Sequence, residues 1–155
     1  MRRASLYIFV LVALLSTAQA QDNGLYFGVG GAYFSGATTP VFSLQVGSTI
    51  SNLLELRATL DTLLSVNVVS TDLLFAVYKN SVLKAYTGFG PDLLVSLVAP
   101  TAGASFEIHG TVGVEFSPNG NLKTGLYIET KPFLVSTFRS GILALEFRVG
   151  INSHF

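Results

Sequence analysis

Apolar and polar residues alternate along most of the chain beyond residue 23. Between positions 143 and 152, every second residue is aliphatic or aromatic, and the intervening positions include Glu146, Arg148 and Asn152. This alternation predicts β-strands with one apolar and one polar face, because successive side chains of a strand point to opposite sides. The pattern predicts eight strands, near residues 24–34, 40–49, 53–62, 66–79, 82–90, 105–117, 124–133 and 142–154.

Two segments also fit other structures. Residues 52–64 carry leucines near helical spacing, although a strand at 53–62 fits their alternation better. Residues 91–99 begin with Pro91, which suits the first turn of a helix, and we treat 91–104 as a loop. With 134–141, this gives two long connections at one end of the sheet. The turns predicted at the other end, 50–52, 79–81 and 117–123, are short.

The residues of the polar face indicate which side of the sheet meets water. They include few charges and many glycines, which is a poor composition for a soluble surface. Small and polar residues do suit the narrow interior of a transmembrane barrel, whose apolar face meets lipid. The glycines of this face are Gly28, Gly30, Gly47, Gly88, Gly90, Gly113 and Gly150. The fold class predicted is therefore all-β, an eight-stranded antiparallel up-and-down transmembrane β-barrel.

The first twenty residues have the three parts of a secretory signal peptide. Arg2 and Arg3 precede an apolar run over 6–15, and the segment ends in Ala18-Gln19-Ala20. The run is about ten residues, too short for a spanning helix, which needs about 20. We predict a signal peptide over 1–20, cleaved after Ala20, and one β-barrel domain over 21–155.

Composition excludes several classes of function. The chain has no cysteine, which removes disulfide scaffolds, zinc–thiolate sites and iron–sulfur clusters. Its net charge is zero, with no basic run beyond Arg2 and Arg3, so a nucleic-acid partner has no electrostatic support. No metal, phosphate-loop or hydrolase motif is present. We predict no cofactor and no metal site.

The C-terminal strand resembles the terminal-strand signal that the barrel-assembly machinery of bacterial outer membranes reads. Phe147, Val149, Ile151 and the final Phe155 share one face. With the signal peptide and the stretch 86–90 (YTGFG), the chain resembles the small eight-stranded outer-membrane proteins. That group includes the OmpA transmembrane domain, OmpX, OmpW and the lipid A deacylase PagL. Ser153 interrupts the apolar face, and the absence of Trp leaves any aromatic girdle to Tyr and Phe.

The resemblance implies a bacterial outer-membrane location, with outer-membrane lipid and the assembly machinery as partners. It favours a non-enzymatic protein with a structural, adhesive or narrow-pore role, and it leaves the oligomeric state open. Two alternatives remain. One is a lipid-modifying hydrolase similar to PagL, and the other is a soluble secreted barrel that carries an apolar ligand.

Charged residues of the polar face predict an ion-pair network inside the barrel, because buried charges persist only when paired or solvated. Three opposite-charge pairs lie two residues apart, Glu55/Arg57, Glu129/Lys131 and Glu146/Arg148, and Asp72 and Lys84 lie on neighbouring strands. The predicted network consists of Glu55, Arg57, Asp72, Lys84, Glu107, Glu115, Glu129, Lys131, Glu146 and Arg148.

One local set has the residue types of a hydrolytic triad. Ser105, Glu107 and His109 supply hydroxyl, carboxylate and imidazole at alternate positions. Any strand can produce this spacing, and these positions fall on the polar face rather than the lipid face that PagL uses. We therefore predict that His109 is a hydrogen-bonded interior histidine, that no residue is catalytic, and that His154 is solvated at the periplasmic end.

Overall fold

The computed structural model describes residues 24–35, 40–63, 66–96, 103–118, 123–137 and 140–155. The predicted signal peptide, residues 1–20, lies outside this part of the chain. The eight strands are β1 (Leu25–Phe34), β2 (Val41–Ser51), β3 (Leu54–Leu63), β4 (Val66–Lys79), β5 (Leu83–Ser96), β6 (Gly103–Phe116), β7 (Thr124–Thr137) and β8 (Ser140–His154). In the described ranges no helix has the length and apolar character needed to cross a bilayer.

The strands pair antiparallel with their sequence neighbours, and β1 also pairs with β8, which closes the sheet into a barrel. The closing ladder runs from the pair Tyr26/His154 to the pair Phe34/Glu146. Closure pairs the first strand with the last, which removes the two open edges that a sheet exposed to lipid cannot leave unpaired. The β6–β7 ladder is the shortest, and it ends at the pair His109/Phe133. The predicted fold, an eight-stranded antiparallel barrel, is confirmed.

The two faces of the wall differ sharply. Outward side chains are apolar and exposed, such as Phe106 at 68% and Ile128 at 62%, whereas the inward Asp72 and Lys131 are fully buried. Outward residues of β6 run from Phe106 to Phe116, about 26 Å along the barrel axis for a strand tilted by about 40°. This height is close to the roughly 25 Å apolar band of outer-membrane barrels.

The last four strands extend further than the alternation predicted at the end of the barrel away from the termini. β5 continues through Pro91 to Ser96, β6 begins at Gly103, β7 continues to Thr137, and β8 begins at Ser140. The prediction of a loop over 91–104 was therefore wrong for most of its length, as was a long connection at 134–141. The strand favoured over a helix at 53–62 is confirmed as β3.

Both internal prolines of these long strands lie where the sheet ladder is interrupted on one side. Pro91 pairs with Ile108 of β6, but the β4–β5 ladder passes from Ser70/Asp92 to Leu73/Phe89. Pro132 likewise pairs with Leu145 of β8, while the β6–β7 ladder skips the positions between His109/Phe133 and Val112/Thr130. A proline without an N–H fits such a position.

The longer strands also overturn the predicted asymmetry of the connections. At the end away from the termini, six residues separate β1 from β2 and β5 from β6, and two residues separate β3 from β4 and β7 from β8. The longest connection, seven residues over 117–123, lies at the end that carries Gly24 and Phe155. Connection length therefore gives no support for an orientation.

Inward glycines make room for large interior side chains, as the sequence predicted. A Cβ atom on Gly47 would overlap the ring of Tyr26, and one on Gly113 would overlap the ring of Tyr86. Gly30 faces the hydroxyl of Tyr127 and the backbone carbonyl of Val149. The interior is therefore filled by side chains where these strands face one another.

Adjacent glycines on opposite faces provide a matched test of this packing. We expect Gly30→Ala to lower the free energy of unfolding by about 1–3 kcal/mol, because its methyl group would lie 2.5 Å from the Val149 carbonyl oxygen. Gly31→Ala should change it by less than about 0.5 kcal/mol, since the nearest atom there is 3.7 Å away. Urea titration in detergent micelles measures both values. Equal effects would contradict the packing argument.

Candidate functional site

The barrel lumen collects most of the charged residues that the sequence placed on the polar face. Nine of the ten predicted network residues are at least 95% buried and lie in ion pairs: Glu55, Arg57, Asp72, Lys84, Glu115, Glu129, Lys131, Glu146 and Arg148. The tenth, Glu107, is half-buried near the end of the barrel away from the termini. It lies opposite Asp92, a second carboxylate, and has no ion pair within the described residues.

Asp72 of β4 is the most highly connected carboxylate of the lumen. Its Oδ2 lies 3.1 Å from Arg57 Nε and 3.2 Å from Lys131 Nζ. Its Oδ1 accepts a hydrogen bond of 2.8 Å from the Thr111 hydroxyl and lies 2.7 Å from His109 Nε2. These contacts connect β4 to β3, β6 and β7 across the interior, so one carboxylate links four strands.

Glu129 of β7 connects the two arginines of the lumen. Arg57 Nη1 lies 2.6 Å from its Oε2, and Arg148 Nη1 lies 3.5 Å from its Oε1. The Tyr86 hydroxyl donates a further hydrogen bond of 2.9 Å to Glu129. Arg148 also pairs with Asp61 and Glu146. The central lumen is therefore a continuous network of charges and hydrogen bonds.

A second cluster occupies the end of the lumen near the termini. Lys84 Nζ lies 3.2 Å from Glu55 and 2.8 Å from Glu115, and it sits over the rings of Tyr26 and Tyr86. Beside this cluster lies a cavity of about 700 Å³, lined by Gly24, Thr49, Asn52, Glu55, Lys79, Lys84, Glu115, Lys123, His154 and Phe155. The Tyr86 ring lies near both Lys84 and Arg57, so it stands at the boundary between this cluster and the central network.

The pairing partners differ from those that local spacing suggested. Of the three pairs spaced by two residues, only Glu146/Arg148 forms a direct contact. Arg57 and Lys131 pair across strands with Asp72, and Glu55 pairs with Lys84. Lys84 contacts Glu115 of β6 rather than Asp72 on its neighbouring strand.

The histidines have carboxylate partners that the sequence did not predict. His109 lies between two aspartates, with Nε2 2.7 Å from Asp72 and Nδ1 2.9 Å from Asp92. Nε2 is within a hydrogen bond of Asp72, and Nδ1 lies against Asp92 without a hydrogen bond. No described contact joins the ring to Ser105 or Glu107, so the suggested hydrolytic set is not assembled. His154, which we expected to be solvated, is partly buried, with Nε2 2.6 Å from Glu115.

Two further acids and two amides, Asp61, Asp92, Gln45 and Asn152, lie buried in the lumen outside the predicted network. Asp61 continues the alternation of Glu55 and Arg57 on β3, so the sequence pattern itself indicates its place in the lumen. Asp92 fell in the segment treated as a loop. Gln45 Nε2 donates a 2.5 Å hydrogen bond to Asn152, and Gln45 Oε1 accepts one from Arg57. The side-chain amides of Gln45 and Asn152 carry no charge, so a search for charged residues on the polar face does not find them.

The residues that resemble an assembly signal lie on the outer surface. Phe147, Val149, Ile151 and Phe155 are between 46% and 81% exposed. The backbone N–H of Phe155 donates to the carbonyl of Leu25, which ties the chain end to β1. Within the described part of the chain, no group of three or more His, Cys, Asp or Glu side chains is arranged to hold a metal ion.

A closed eight-stranded sheet with an apolar exterior and a charged interior defines the transmembrane class of β-barrels. No protein-family model matches the chain, and no curated protein sequence matches it. Solved structures do match it, and all of those compared below are small outer-membrane barrels.

The N-terminal β-barrel domain of Pseudomonas aeruginosa OprF has a TM-score of 0.63 and 11% identity, over 85% of this chain and 97% of that one. Neisserial surface protein A has a TM-score of 0.54 and 13% identity, over 86% and 96%. Ail of Yersinia pestis, in a phospholipid bilayer nanodisc, has a TM-score of 0.55 and 10% identity, over 86% and 100%. At these identities the likeness is one of fold, that of the small outer-membrane β-barrels.

Two lumen carboxylates allow a matched test of the network. We expect Asp72→Asn to lower the free energy of unfolding by about 3–5 kcal/mol, because Lys131 loses its ion-pair partner in a buried site. Glu107→Gln removes the same charge where no ion pair exists and should change it by less than about 0.5 kcal/mol. Urea unfolding in micelles measures both. A cost for Asp72→Asn no larger than that for Glu107→Gln would refute the central role of Asp72.

Proposed function

We propose that this protein is a non-enzymatic integral protein of the bacterial outer membrane whose charge-paired lumen is closed. Its role is structural, as a side-chain-filled barrel that anchors in the lipid. The observation that carries this proposal is the arrangement of the wall, in which apolar side chains face outward and charged side chains face inward. A wall of this kind is stable only when lipid or detergent covers its outer surface.

The same observation weighs against both alternatives. A soluble barrel that carries an apolar ligand needs an apolar interior, whereas this lumen contains Arg57, Asp72, Lys131 and Arg148. A hydrolase built on His109 needs a ring nitrogen free to accept a proton from a hydroxyl, and both nitrogens of His109 face aspartates. Neither alternative gains support from a described contact.

Connection lengths and lumen contents favour a structural role over an adhesive or porin-like one. The strands extend so far that the connections away from the termini have two to six residues, which offers little surface for a partner. Eight strands enclose an interior that side chains nearly fill. Arg57, Glu129 and Arg148 bridge that interior directly. Partners of the protein are then outer-membrane lipid and, during biogenesis, the barrel-assembly machinery.

Residues 21–155 refolded in micelles should run faster on a gel before boiling than after it, as a closed detergent-resistant barrel does. Solubility in plain buffer with no shift on boiling would refute the membrane proposal.

Arginine substitutions on the outer wall test its contact with lipid. Val112→Arg, in the middle of the outward face of β6, should cost about 2–4 kcal/mol of folding free energy in lipid vesicles. Val77→Arg, near the end of β4, should cost about 1 kcal/mol or less.

The closed lumen predicts the behaviour of the protein in planar lipid bilayers. The native barrel should show no steady open-pore current, because the central ion pairs span its interior. Replacement of Arg57 and Arg148 together by Ser removes the two largest bridging side chains and should produce measurable current. Steady current through the native barrel would contradict closure and favour the narrow-pore role instead.

A further inference from the structure

We propose that the half of the lumen away from the termini binds a small monovalent cation, held by oxygen atoms of Asp61, Ser43 and Thr59. This inference rests on the barrel interior alone and holds whether or not the protein conducts ions. It begins with the balance of buried charge, which the ion pairs leave incomplete.

Carboxylates exceed cationic side chains inside the barrel. Among the described residues, the buried acids are Glu55, Asp61, Asp72, Asp92, Glu115, Glu129 and Glu146, seven in all. The buried Lys and Arg residues are Arg57, Lys84, Lys131 and Arg148, four in all. His109 and His154, which lies beside Glu115, contribute at most one further positive charge each, so the acids still exceed the cations. An uncompensated charge in a buried site is costly, so the excess requires counter-cations or bound protons.

The part of the lumen near Asp61 carries oxygen atoms without a hydrogen-bond partner. Asp61 Oδ1, Ser43 Oγ and Thr59 Oγ1 are each buried and have no hydrogen-bond partner among the described residues, while the other oxygen of Asp61 pairs with Arg148. Ser43 lies directly opposite Asp61 in the β2–β3 ladder. Thr59 lies two residues before Asp61 on the same face of β3. The three side chains therefore point into one region of the lumen.

The chemistry of these groups selects the kind of ligand. One carboxylate oxygen and two hydroxyl oxygens are hard ligands, which suit alkali and alkaline-earth cations. Divalent ions are usually held by several carboxylates, and among the described residues no group of three or more acidic or histidine side chains is arranged to hold a metal ion. A single formal charge at Asp61, already shared with Arg148, fits a monovalent cation such as Na⁺.

The test compares urea unfolding of the refolded barrel in sodium chloride and in N-methyl-D-glucamine chloride, at one pH and one ionic strength. The glucamine cation is too large to be enclosed by the three oxygen atoms of the proposed site. Sodium at ten times its dissociation constant raises the ratio of folded to unfolded protein about 11-fold, because it binds the folded state alone. We expect a higher unfolding midpoint in sodium and a broadened ²³Na NMR signal.

Variants of the site and a neighbouring control identify its location. Asp61→Asn should abolish the difference in unfolding midpoint between the two salts. Ser43→Ala keeps every charge and should reduce that difference, so it tests the site even if Asp61→Asn fails to fold. Thr62→Val removes an outward hydroxyl next to Asp61 and should retain the full difference. Equal midpoints for the native protein in both salts would overturn the proposal. A higher unfolding midpoint at low pH with no effect of sodium would also overturn it, because bound protons would then balance the excess negative charge. A sodium effect that persists in Asp61→Asn would overturn it as well.

Discussion

The pairing of β1 with β8 is the constraint on which the rest of the structure depends. Once the sheet is closed, the first and last strands pair with each other, and most backbone groups of the wall find partners in neighbouring strands of the same chain. Closure also fixes a small interior, and side chains of opposite strands are brought into contact there. Charges that would be solvated on an open sheet must then find partners across the lumen, as Arg57 does with Glu129.

Interior volume is the second consequence of closure. Eight strands leave space for side chains but little else, and the sequence divides that space between glycines and tyrosines. Tyr26 lies over Gly47, Tyr86 over Gly113, and Tyr127 over Gly30 and Gly150. The rings of Tyr26 and Tyr86 also hold the Lys84 ammonium group. The same residues therefore fill the barrel, and Tyr86 stands at the boundary between its two charge clusters.

The sequence could predict the number of strands, their faces and most lumen residues, because all of these follow from alternation with a period of two. It could not predict that β5 passes through Pro91, since proline indicates a break unless the ladder on one side is known to be interrupted. Nor could it predict which charged side chains form ion pairs with each other inside the lumen. Spacing along a strand suggested Glu55/Arg57, but pairing across the lumen depends on the stagger of distant strands, which placed Arg57 of β3 beside Glu129 of β7.

The interruptions of the ladder and the central charges lie at the same level of the barrel. The β4–β5 ladder lacks its bonds at Thr71 and Asp72, and the β6–β7 ladder lacks them at Thr111 and Lys131. Asp72 contacts both Thr111 and Lys131 through its side chain. Side-chain contacts across the lumen therefore connect the strands where backbone hydrogen bonds are missing. On this argument the buried charges stabilise the wall itself, and a lumen opened by breaking them would also loosen the sheet around Pro91 and Pro132.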